Sequence, residues 1–275
     1  MLGALRDGLA TLKLHKKAFL VPYLVNLIVG LSLGIPFAFR LEAALGDSAY
    51  EELLLERLDF VWMEWFRGQD GGVVSTFGPE LLGMAPFLRH LELILTGGLF
   101  RLPAEILGMG ALYLLLQSLM TSAILGSFVN DPAGTTVREF FRNGAEFFGR
   151  ILRVRLLALG LLGSAFWIFG QSLFELASSM VVGALTDLRA FVLAVSFQGA
   201  FLLLILGLKM ISDYAKITVT SEDRTSIFLG YLSALTFCIS NLLPAAGLYL
   251  VLVLSGVLWA LVYAGLNYVM PQASG

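Results

Sequence analysis

The chain has 275 residues, 58% of them hydrophobic and 14% charged, with a mean hydropathy of +0.85 and a net charge of −2. A soluble domain carries about 25% charge, so water cannot be the solvent for this whole surface and hydrocarbon has to cover much of it. The composition therefore excludes an ordinary soluble enzyme, and the lack of any basic tract excludes nucleic acid as a partner. Cys238 is the single cysteine, which rules out an internal disulfide or a cysteine metal cluster. His15 and His90 flank the first hydrophobic run, which argues against a bis-histidine haem.

Lys13, Lys16 and Lys17 precede the uncharged run 18–39. Its length exceeds the ~7–15 residues of a signal-peptide core, and it reads as a retained signal-anchor span. Residues 40–105 form the longest polar segment. There Leu41, Leu45, Leu53, Leu54, Leu58, Trp62, Trp65 and Phe66 recur at helical spacing among Glu42, Glu51, Glu52, Glu56 and Asp59. That pattern predicts an amphipathic helix with tryptophans at headgroup level. Beyond the break at 68–72 a second helix is expected over 79–96, with Gly97, Gly98 and Pro103 punctuating the approach to the next span.

The second, third and fourth spans are expected at 106–129, 156–174 and 190–208. Between the first two of these, Thr136 and Glu139 have the spacing of a capping box. The helix they open carries Phe140, Gly144, Phe147, Phe148 and Ile151 on one side, with Arg138, Arg142, Asn143, Glu146 and Arg150 on the other. Thr220 with Asp223 reads as another cap. No charged residue follows Thr225. This stretch holds either two spans, 225–242 and 246–269, or one span preceded by a helix in the membrane interface.

Residues 2–25, 137–160 and 226–249 look like three copies of one unit: an amphipathic helix, a brief break and a span. The repeat favours five spans, whereas apolar length favours six. Six is preferred, because an uncharged helix over 225–242 gains more from hydrocarbon than from headgroups. The expected fold is one all-α integral membrane domain over 1–275, a polytopic bundle with amphipathic interfacial helices. Lys and Arg concentrate at 6–17, 138–155 and 209–224, which places the N-terminus in the cytosol and the 40–105 loop on the extracytoplasmic side.

Few residues in the spans carry chemistry. Lys209, Asp213 and Lys216 share one helix face, as an ion- or headgroup-binding cluster or as a paired, snorkelling helix end. Asn26, Gln117, Gln171, Gln198 and Asn267 are intramembrane polar residues that either line a path or bond helix to helix. Gly30 and Gly34, and Gly256, Ala260 and Ala264, form small-residue stripes suited to close helix packing, within the chain or against a partner. The arginine-rich helix 137–155 could also meet anionic lipid.

The run ISDYAKITVTSEDRTS at 211–226 and the aromatic-rich FFRNGAEFFGRILRV at 140–154 resemble segments of a family of uncharacterised bacterial polytopic inner-membrane proteins. A similar style occurs in the membrane domains of some glycerophosphodiester phosphodiesterases. The resemblance implies a multi-pass bundle and brings with it no established activity or catalytic residues. No HExxH, GxSxG, P-loop or paired-aspartate run is present. The expected function is a non-enzymatic accessory or scaffold subunit without cofactor. It would work in the lipid bilayer with a membrane-protein partner or as a homo-oligomer. The alternative is a permease for a lipid or small amphiphile.

Overall fold

A computed structural model describes residues 2–46, 60–69, 104–130, 136–170 and 187–273, with isolated positions at 93, 98, 175–176 and 179–180. Every element among them is helical: α1 Leu2–Leu14, α2 Lys16–Leu45, α3 Phe60–Gln69, α4 Ala104–Asn130, α5 Val137–Ala165, α6 Asp187–Ser221, α7 Ile227–Ser240 and α8 Leu242–Ala273. A π-helical turn at Phe166–Gly170 extends α5. The helix expected over 79–96 falls, apart from position 93, outside the described residues, as does Gln171.

Five helical stretches among the described residues are long and apolar enough to cross a membrane: Ala18–Leu45, Leu107–Asn130, Val137–Phe169, Phe191–Ser221 and Leu242–Leu266. The chain is therefore an integral, multi-pass membrane protein. The preference for six spans gives way to the alternative of five. The helix that would have been the sixth has 14 residues, or ~21 Å at ~1.5 Å per residue, against the ~30 Å of hydrocarbon it would have to cross. Ser226 starts it and Asn241, with φ −123°, ends it, so the uncharged stretch is cut in two well before it reaches span length.

Other local expectations divide in the same way. The capping box holds: Thr136 N donates to Glu139 Oε2 at 2.8 Å and Glu139 N donates to Thr136 Oγ1 at 3.3 Å. The cap at Thr220 and Asp223 does not form. Thr220 Oγ1 turns back to Lys216 O at 2.9 Å, and Ser226 is the N-cap residue of α7. Asp223 sits in the turn between α6 and α7 with φ +48°. The three-copy repeat survives in its ends only. His15 separates α1 from α2 and Asn241 separates α7 from α8, but α5 runs unbroken from Val137 to Ala165. The helical pattern read from Leu41 to Phe66 is also divided, since α2 stops at Gly46, whose φ of +50° suits glycine.

The chain separates into two compact units, one of residues 1–19, 92–101 and 112–253, the other of 20–91, 102–111 and 254–275. In the second unit Trp62, Met63 and Phe66 of α3 pack on Phe37, Leu41, Ala44 and Leu45 of α2. Trp62 and Phe66 stack with centroids 5.2 Å apart, while Trp65 stays half exposed.

The first unit owes its tightness to three glycines. A Cβ on Gly126 would lie 2.9 Å from Phe147 Cδ2, and one on Gly144 would lie 3.0 Å from Ala123 Cβ. At Gly230 it would run into Val219 Cγ2. These positions bring α4 onto α5 and α7 onto α6. The buried face of α5 is Phe140, Gly144, Phe147, Ile151 and Val154 together with Asn143. Asn143 had been expected on the polar side. It is buried because its Oδ1 accepts from Asn130 Nδ2 of α4 at 3.3 Å. On α6, Ala215 and Val219 pack with Val154 and Ala234, and Met210 packs with Cys238 and Ala245. By contrast, Cβ atoms on Gly30, Gly34 or Gly256 would meet nothing within 4 Å.

Gly144→Leu and Gly230→Leu are expected to lower stability by about 1–3 kcal/mol, the cost of overpacking a filled crossing, read as a drop in the thermal midpoint in detergent. Gly34→Leu, in open surroundings, should leave the midpoint unchanged. An equal drop for all three would show that crossing contacts are not what these glycines provide.

Candidate functional site

In the first unit a layer of charges lies at one end of the uncharged runs of α5 and α6. On α6 the run Phe191–Leu208 has no charged residue, and its eighteen positions span ~27 Å, close to the thickness of the hydrocarbon. Lys209 is the first charge after it. On α5 the uncharged run begins just past Arg155. The two helices are held in register by Tyr231 of α7, whose hydroxyl donates to Val154 O at 3.2 Å and shares a hydrogen bond with Ser212 Oγ at 2.8 Å. Their chain neighbours, Arg155 and Asp213, are thereby set at the same height.

Asp213 is the centre of the layer. Lys209 Nζ donates to both of its carboxylate oxygens at 3.0 Å, and Lys216 Nζ donates to Oδ1 at 2.6 Å. The i, i+4 and i, i+3 spacings put all three on one face of α6. Lys209 is the exposed member, whereas Lys216 is 8% exposed. Arg155 approaches from α5. Its Nη2 donates to Gln117 O at 3.1 Å and to Thr121 Oγ1 at 2.6 Å, both on α4. The Asp213 charge acts on Arg155, and the Arg155 and Lys209 charges both act on Lys216. Three cations thus gather round one carboxylate.

Farther from the uncharged runs, Arg150 pairs with Asp223 in the α6–α7 turn and lies over the Phe147 ring, 5.5 Å from its centroid. Arg224 pairs with Glu222. At the join of α1 and α2, buried His15 meets the Phe128 ring edge-on with centroids 5.0 Å apart. Among the described residues no group of three or more His, Cys, Asp or Glu could hold a metal ion.

Of the residues singled out from sequence, Lys209, Asp213 and Lys216 do stand together. Gln117 takes part through its backbone carbonyl. Gln198 is exposed on α6 and Asn26 is exposed on α2. Asn267 lies in α8, with its side chain outside the described set. The stripe Gly256, Ala260, Ala264 lies on α8, with Gly256 exposed and the alanines half-buried. Sequence reading missed Arg155 as a site residue, counting it only toward the positive side of the membrane. Its position at the first turn of an uncharged run was the available signal. Tyr231 was missed entirely, since nothing in an apolar stretch shows which tyrosine will find a partner 77 residues away.

The chain matches no protein-family model, no curated protein and no solved structure. In the run 211–226, Ala215 and Val219 are fully buried, Asp213 and Lys216 are paired, and Glu222 and Arg224 are paired.

Tyr231→Phe is expected to cost about 1 kcal/mol, the net worth of a hydrogen bond, when unfolding is followed reversibly in mixed micelles. Arg155→Met removes the link to two acceptors on α4 and should cost more. If both variants unfold like the parent, these bonds do not hold the helices together.

Proposed function

We propose that the chain is a non-enzymatic accessory or scaffold subunit of a complex in the bacterial inner membrane, with its N-terminus in the cytosol and the 40–105 loop outside. The observation that carries the reading is the use made of polar side chains in the first unit. Arg155 ties α5 to α4, Tyr231 ties α7 to α5 and α6, and Asn130 ties α4 to Asn143 of α5. Groups used in this way brace helices against one another and make a stiff body on which another protein can be organised. Serine and threonine hydroxyls at 118, 121, 122 and 127 turn back onto carbonyls one turn earlier in α4, as in membrane helices that have no water to hand.

Support for a protein partner comes from α7. It is too short to span, yet Phe228, Leu229, Leu232 and Ile239 are all exposed. On our reading this apolar face, carried by a helix that does not span, is where another apolar face would dock. The bacterial setting rests on the resemblance of 140–154 and 211–226 noted above, and the orientation on the crowding of Lys and Arg on one side.

Two measurements test the reading. Extraction in a mild uncharged detergent should yield the chain in a complex of fixed stoichiometry, and Leu232→Asp should release it as a monomer. A parent protein that runs as a monomer in the same detergent would sink the scaffold role. For orientation, Asp223→Cys in a Cys238→Ala background should react with an impermeant maleimide in inside-out vesicles and stay silent in intact cells. Cys238 itself is a poor reporter, because it is buried and desolvation pushes its thiol upward in pKa, which lowers the thiolate fraction that reacts.

A further inference from the structure

The charged layer does not balance. Lys209, Lys216 and Arg155 bring three positive charges to the single carboxylate of Asp213, which leaves two in excess. Lys216 is only 8% exposed, and Arg155 is half-buried with its Nη2 held on α4, so water screens this excess less than it would at an open surface. A partly buried charge without a counter-ion is costly. Of the neighbouring cations, Arg150 is matched by Asp223 and Arg224 by Glu222.

The position of the excess narrows what can neutralise it. Lys209 follows directly on an uncharged run ~27 Å long, and the Tyr231 bonds to Ser212 and Val154 hold Arg155 level with Asp213. The cluster therefore lies where hydrocarbon ends and headgroup phosphates begin. Lys209 is the most exposed of the cations, with 56% of its side chain open, and it gives an approach from outside the helix bundle. Arginine and lysine are the side chains that take phosphate oxygens, the first as a planar fork and the second as a point charge.

We infer that Arg155, Lys209 and Lys216 form a binding site for a phosphate-bearing anion at the membrane surface, with Asp213 as a built-in competitor that already holds the two lysines. The carboxylate keeps the lysines in place when the site is unliganded and repels the incoming phosphate, so it sets affinity at a modest level. This role is independent of the scaffold reading, because it needs no protein partner.

The test uses the full chain in an uncharged maltoside detergent, titrated calorimetrically with dioctanoyl phosphatidylglycerol, with inorganic phosphate and with dioctanoyl phosphatidylcholine. Saturable binding of phosphatidylglycerol alone identifies a lipid headgroup as the ligand. Binding of inorganic phosphate as well, or instead, identifies a free oxyanion, and either result supports the site. Lys209→Gln and Arg155→Gln should each weaken binding about fivefold, the effect of one basic residue near an anionic lipid. Asp213→Asn should strengthen it by a similar factor, a gain that a purely structural ion pair would not produce. Because Lys209 is exposed, its variant stays informative even if Arg155→Gln does not fold. The inference is overturned if the two anions bind no better than phosphatidylcholine, or if Lys209→Gln and Asp213→Asn leave their affinity unchanged.

Discussion

Hydrocarbon neither donates nor accepts a hydrogen bond, so a chain immersed in it has to pair its polar atoms internally or lift them to the surface. In the first unit several polar side chains answer that demand in one of two ways. Hydroxyls on α4 fold back onto their own helix, at no cost in helix spacing. Larger groups reach across. Arg155 places its Nη2 on the α4 backbone and on Thr121, while its Nε stays buried without a partner, and the Tyr231 hydroxyl is shared between two neighbouring helices. The cross-links lie near the end of the uncharged runs, where a polar group costs least to place, and so register and charge are fixed at the same depth.

Close approach comes from a second source. Without a hydrophobic drive between helices already in lipid, packing depends on backbones that can touch. Gly126, Gly144 and Gly230 permit it because what faces each is a side chain of the neighbouring helix: Phe147, Ala123 and Val219 in turn. Val219 of α6 is fully buried as a result, and Val154 and Ala234 complete the contact. The glycines make room and the hydrogen bonds set register. Neither alone would specify which face of α6 meets α7.

Much of this architecture was legible in the amino-acid sequence, and the parts that were not share a cause. The runs 18–39, 106–129 and 190–208 announce themselves because hydropathy accumulates over many residues, and the Thr136–Glu139 box because its chemistry is local. The end of α7 was not legible, since the uncharged stretch after Thr225 has no charge to mark where helix gives way to turn, and Asn241 is a weak breaker. The small-residue stripes on α2 and α8 were visible, but a stripe records only that a helix can be approached closely. Which glycines are used depends on side chains of the neighbouring helix, as Gly126 depends on Phe147. The face of Lys209, Asp213 and Lys216 could be read from spacing within one helix. Arg155 and Tyr231, which complete the cluster, come from other helices, and their arrival is a property of the folded chain.

The unbroken course of α5 makes that helix a lever. Its amphipathic portion from Val137 to Arg155 and its apolar portion beyond are one rigid rod, with about 27 Å of rod between those two residues at ~1.5 Å per residue. A bilayer that thins forces a long span to tilt. With no joint at the surface to absorb the rotation, a tilt of ~10° would carry the Val137 end sideways by roughly 5 Å at that rod length. Through the pairing of Arg150 with Asp223, the same displacement reaches the turn that reverses the chain from α6 into α7. The thickness of the surrounding lipid is in this way felt outside the hydrocarbon, at the turn between α6 and α7.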